Sequence, residues 1–133
     1  MTLLYSQSST VTGGRSYLTL NHDGTSATLW DASSATEWVI TSYGSYVTIG
    51  VDDGYAGSRK YLGTNADGTA LTLWTTVTAA QQWVLTDSGS HITLHTNSNI
   101  NRKYLGVSQG ALSLWPEYGA NQQWSYTCVS GDP

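Results

Sequence analysis

RKYLGTNADGTALTLWTTVTAAQQWVL, residues 59–85, is one version of a unit that the chain carries three times. The others are RSYLTLNHDGTSATLWDASSATEWVI at 15–40 and RKYLGVSQGALSLWPEYGANQQWSY at 102–126. Tyr17, Tyr61 and Tyr104 are 44 and 43 residues apart, and Trp30, Trp74 and Trp115 are 44 and 41 apart. Trp38, Trp83 and Trp124 follow at 45 and 41, so all six tryptophans fall in register. Self-similarity at a fixed period is the mark of a repeat architecture.

The local signals within a unit are strands and turns. YLGTNADGTALTLW is an extended run, an Asp67-Gly68 turn and an alternating run, which predicts a hairpin. The first unit places the same turn at Asp23-Gly24, and the third shortens it to Gln109-Gly110. After the second tryptophan comes another extended run, then a small-residue turn (Gly44-Ser45, Gly89-Ser90), then YVTIG or HITLH. TLLYSQ at the start matches HITLH, and QWSYTC near the end matches QWVLTD. The expectation is an all-β chain of twelve strands, four to a unit, forming one domain over 1–133 with repeats at about 1–44, 45–89 and 90–133. Propellers are built from about 4–8 blades, so three short units predict a closed threefold barrel instead.

These units resemble the β-trefoil of the ricin B-type lectin family, and the likeness runs through essentially the whole chain. The family's Gln-x-Trp signature stands at 81–83 and 122–124 as QQW and is altered to TEW at 36–38. RKYLG is also similar to the fascin and fibroblast-growth-factor branches of that fold.

Strand alternation sorts the aromatic residues. Leu71 and Leu73 share one face, so Trp74 points the other way; Trp30 and Trp115 behave alike in their own units. Trp38, Trp83 and Trp124 share faces with Ile40, Leu85 and Tyr126, and these three tryptophans are expected in the core. Leu18, Leu62 and Leu105 are expected to point inward, with the preceding Arg and Lys forming a solvated strand entrance whose stems lie over neighbouring aromatics. Three outward tryptophans, each opening a loop of small polar residues, make a surface suited to a sugar's apolar face and hydroxyl rim.

The resemblance implies carbohydrate binding and places the stacking aromatic at Trp30, Trp74 and Trp115. It puts the polar pair at Asn121 and Gln122 in the third unit, against Ala80 and Gln81 in the second and Ala35 and Thr36 in the first. The third unit, with LWPEYGANQQW, is thus the most like a family site, and Glu117, Tyr118 or the Asn-x-Asp-Gly turns at 21–24 and 65–68 are candidates for a shifted one. The family's galactose-binding Asp aligns with Thr19, Gly63 and Gly106, so galactose held in the family's usual manner is not expected. One to three shallow sites for glycan ends or short oligosaccharides are implied, weak singly and stronger together or in a homodimer. The alternatives are a β-trefoil protease inhibitor and a fascin-like structural or interaction module.

Other chemistry is unpromising. Net charge is −4 without a basic run, which argues against nucleic-acid or anionic-membrane partners. No apolar stretch is long enough to span a membrane. MTLLYSQSST lacks the pattern of a secretory leader, so a cytoplasmic protein is expected, as in the defence lectins of fungi that it resembles, or a secreted one if a leader has been removed. The single Cys128 excludes an internal disulfide. His22, His91 and His95 read as surface residues, and no Gly-x-Ser-x-Gly elbow is present. A non-enzymatic chain without metal or cofactor is expected.

Overall fold

The computed structural model describes residues 2–8, 10–11, 13–21, 25–55 and 59–128, with side chains left undescribed at 52–55. His22 and the expected Asp23-Gly24 turn lie outside the described residues. Twelve strands follow in order: β1 (Thr2–Ser6), β2 (Tyr17–Leu20), β3 (Ala27–Trp30), β4 (Val39–Ser42), β5 (Val47–Tyr55) and β6 (Arg59–Thr64). Then come β7 (Leu71–Trp74), β8 (Trp83–Asp87), β9 (Ile92–Thr96), β10 (Tyr104–Ser108), β11 (Ala111–Trp115) and β12 (Trp124–Cys128). Short 3-10 turns stand at Ala32–Ser34, Ala79–Gln81 and Ala120–Gln122, each between the two tryptophans of a unit.

Six strands close a barrel. β1 pairs with β12, β4 with β5, and β8 with β9, all antiparallel. These hairpins join through Trp124 opposite Ile92, Trp83 opposite Val47, and Trp38 opposite Thr2. Thr2 and Trp38 exchange both backbone hydrogen bonds, at 2.9 and 2.8 Å, and so shut the ring. The other six strands form the hairpins β2–β3, β6–β7 and β10–β11, which cap one end. The hairpins also touch one another: the Leu73 amide donates to the Thr25 carbonyl at 2.7 Å, and that of Leu114 to Gly68 at 3.2 Å. The fold is a β-trefoil.

The core repeats in layers of three. Leu4, Ile49 and Leu94 come from the barrel, and Leu18, Leu62 and Leu105 from the cap; all are fully buried. Trp38, Trp83 and Trp124 are also at 0% exposure, and each donates its indole N–H to the carbonyl of Leu18, Leu62 or Leu105 at 2.9 Å. Each therefore pins a barrel strand to its own unit's cap hairpin. A phenylalanine would leave that buried carbonyl without a donor, at a cost of about 1–3 kcal/mol. A core built on indoles suits a chain with six Trp and no Phe. Tyr126, two residues beyond Trp124, has already reached the barrel rim and is exposed.

Candidate functional site

The pleat that buries Leu73 turns Trp74 outward, and Trp30 follows by the same rule; both are 38% exposed. Trp74 borders a hollow of about 320 Å³ whose rim includes Thr64, Asn65, Thr76, Thr78 and Ser98. Trp30 borders a hollow of about 420 Å³ with Thr19, Leu20, Asn21, Thr28 and Ser34. The two are equivalent in register: Leu20 answers Thr64, Asn21 answers Asn65, and the 3-10 turn supplies a wall in each. The Asn21 side-chain Oδ1 is buried and has no partner among the described residues.

Gln81 and Gln122 are buried, and their amide oxygens face the start of their own 3-10 turns. Gln81 Oε1 accepts from the Thr78 amide at 2.8 Å and the Thr78 hydroxyl at 2.7 Å; Gln122 Oε1 accepts from the Gly119 amide at 2.8 Å. The aliphatic part of each glutamine lies on a glycine. A Cβ at Gly63 would stand 2.8 Å from both the Ala80 carbonyl oxygen and Gln81 Cγ. At Gly106 it would stand 2.7 Å from the Asn121 carbonyl oxygen and 2.8 Å from Gln122 Cγ. No side chain fits there unless the 3-10 turn moves, so the volume that an aspartate would need is taken by glutamine. The first unit solves the same packing with two threonines. Thr19 is buried, and the shorter Thr36 accepts from the Leu20 amide at 2.9 Å.

In the third unit Trp115 and Asn121 have different partners from their counterparts in the second. The Arg102 guanidinium lies over the Trp115 ring, 5.2 Å from its centroid. The indole N–H and Arg102 Nε are both buried without a partner among the described residues. Asn121 Oδ1 accepts from the Ser8 hydroxyl at 2.6 Å, and the Thr10 hydroxyl donates to the Val107 carbonyl at 3.3 Å. The chain after β1 thus lies against the third hairpin. Tyr118 is exposed, hydrogen-bonded to His91 Nε2 at 2.5 Å and stacked on the same ring, while Glu117 points to solvent beside it.

One contact sharpens an expectation and one was not anticipated. Arg15 lies over Trp30 with its guanidinium carbon 4.0 Å from the ring centroid, so the cation itself covers the aromatic, as in the third unit. Among the described residues no cation covers Trp74. Ser8 and Ser98 hold equivalent places six residues past the first residues of β1 and β9, a match visible only once those strands are aligned.

No family model matches the chain, and no curated protein matches it significantly. Solved structures do share the fold. A GlcNAcα1-4Gal-releasing endo-β-galactosidase from Clostridium perfringens superposes with a TM-score of 0.73 at 13% identity over 97% of this chain. The chain spans only 32% of that enzyme. A Culex quiquefasciatus salivary protein of the Cysteine and Tryptophan-Rich family gives 0.69 at 15% identity, covering 96% of this chain and 92% of its own. SeviL, solved bound to the asialo-GM1 saccharide, gives 0.68 at 15% identity with 95% of both chains covered. At such identities the likeness is one of fold.

Proposed function

We propose that the chain is a non-catalytic carbohydrate-binding β-trefoil that recognises glycan ends or short oligosaccharides, with Trp74 as its principal platform. One observation carries the reading: an outward indole with no cation over it, set beside a hollow whose rim is hydroxyl and amide and includes no charged side chain. The indole face matches the apolar C–H face of a pyranose, and Thr76, Ser98 and Asn65 match its hydroxyls. The hollow at Trp30, whose ring lies under the Arg15 guanidinium, ranks second, and its Asn21 Oδ1, without a partner among the described residues, offers an acceptor. The saccharide bound by SeviL and the glycan cleaved by the clostridial enzyme support the reading. The third unit, closed by Arg102, Ser8 and Asn121, ranks last despite its likeness to a family site. Shallow sites of this kind gain useful strength when two engage clustered glycans together.

A glycan array followed by titration tests this. Trp74→Ala is expected to weaken binding about 10- to 100-fold, the worth of one lost aromatic contact of ~1.4–2.8 kcal/mol. Trp115→Ala is expected to change it less than about threefold. A blank array, together with inhibition of any member of a protease panel, would favour the inhibitor reading.

A further inference from the structure

The Trp74 hollow has a neighbour of about 440 Å³, lined by Ala66, Asp67, Asn99, Ile100, Asn101 and Arg102. Both are walled by the same two segments, the β6–β7 turn and the β9–β10 loop. Ala66 borders both; Asn65 faces one and Asp67 the other, Ser98 one and Asn99 the other. The two segments are pressed together. Gly68 has φ +77°, and a Cβ there would lie 2.9 Å from Arg102 Cβ and 3.2 Å from Ile100 Cδ1.

Each segment is also tied internally. Asn65 Oδ1 accepts from the amides of Thr69 at 2.9 Å and Ala70 at 3.2 Å, and Asp67 Oδ1 accepts from the Thr69 hydroxyl at 2.6 Å. Lys103 Nζ donates to the Ser98 carbonyl at 2.9 Å, and the Ile100 amide to the same oxygen at 3.0 Å. The shared wall is therefore set before any ligand arrives.

The two hollows offer complementary chemistry. The first presents an aromatic face and hydroxyls. The second presents a carboxylate and two exposed amides, beside a guanidinium whose Nε is unpartnered among the described residues. Amides both donate and accept, and carboxylates accept twice over, which suits a ring bearing several hydroxyls. The third unit has no counterpart, because its hairpin turns in the two residues Gln109 and Gly110 and has no position for Asp67.

We propose that the two hollows form one groove for an oligosaccharide, with one sugar on Trp74 and the next held across Ala66 by Asn99, Asn101 and Asp67. The proposal rests on the carbohydrate reading of Trp74 and gives that site its ligand class: chains of two or more sugars rather than single ones.

The test is calorimetric titration with free neutral glycans of one to four residues drawn from the array hits. The variants are Asn99→Ala/Asn101→Ala, both on exposed positions, and Trp74→Ala. The native chain is expected to bind the longer glycans about tenfold more tightly than the monosaccharide, the worth of two amide contacts. The double variant should lose that increment and keep its monosaccharide affinity, while Trp74→Ala loses both. Equal affinity for short and long glycans, or a double variant with unchanged oligosaccharide affinity, overturns the groove and leaves the Trp74 reading standing. Binding that survives Trp74→Ala intact, or no glycan binding at all, overturns both.

Discussion

The second and third units share RKYLG and QQW letter for letter, yet their outward tryptophans meet different neighbours. At Trp74 the residue before the buried glutamine is Ala80, and the serine across the gap, Ser98, stands on an open rim. At Trp115 the corresponding residue is Asn121, whose side-chain Oδ1 accepts from the corresponding serine, Ser8, and closes the gap. The cation ahead of the tyrosine differs too. Arg102 lies on Trp115, whereas Arg59 is the exposed first residue of β6. One amide and one guanidinium thus separate an open platform from a covered one, on backbones paired in the same register. The core beneath is indifferent to that choice, because the indole bonds of Trp83 and Trp124 are the same 2.9 Å in both units.

The largest effect that would break this comparison lies beneath the platforms, where the two units agree. Gly63→Ala and Gly106→Ala each force a methyl group to within 3 Å of a backbone carbonyl and a glutamine side chain. Each is expected to destabilise the fold by about 1–3 kcal/mol, read from denaturant unfolding. Pairing Gly63→Ala with Gln81→Thr imitates the threonines of the first unit. The pair should lose less than the sum of the single changes by about 0.5 kcal/mol or more. Strict additivity would mean that the glycine answers to the Ala80 carbonyl alone and that glutamine does not set its identity.

A smaller effect sharpens the difference between the platforms. Asn121→Ala removes the acceptor of a buried hydroxyl and gives the third unit the alanine of the second. Its expected cost is about 1 kcal/mol, since Ser8 keeps its contact with Thr10 at 2.7 Å. If Ser8–Asn121 is what closes the third platform, the variant should also gain measurable affinity for the glycans bound at Trp74. Loss of stability with no gain in binding would assign the closure to Arg102 instead.

Much of the frame was legible because its signals are periodic. In-register tryptophans and alternating leucines foretell twelve strands, the buried Trp38, Trp83 and Trp124, and the outward Trp30 and Trp74. The surroundings of those outward rings were not legible, for a physical reason. Ser8 and Asn121 are 113 residues apart, and the position of Arg102 over Trp115 depends on a loop whose path no local pattern specifies. Gln81 and Gln122 show the same limit. As residue types they serve a sugar and a helix cap equally well, and only the position of the Thr78 and Gly119 amides reveals the bonds they make.

The smallest effect concerns the Asp67 turn of the second unit. The Thr69 hydroxyl, then the Thr69 amide, hold the Asp67 carboxyl below the ordinary aspartate value. A carboxylate lowered in the folded chain contributes its stability above the unfolded value and loses it as pH falls through the folded one. Between pH 7 and about 4 that contribution should be constant, fading only at more acid pH. Asp67 is fully exposed, so solvent screening keeps the effect slight. Unfolding of the native chain and of Asp67→Asn, compared from pH 7 to pH 2, should show a small difference that shrinks only at the acid end. NMR titration of the Asp67 carboxyl should move upward in Thr69→Ala. An unmoved midpoint would mean that the turn's own bonds do not hold that charge, and the wall it forms beside Trp74 would be less fixed than the geometry implies.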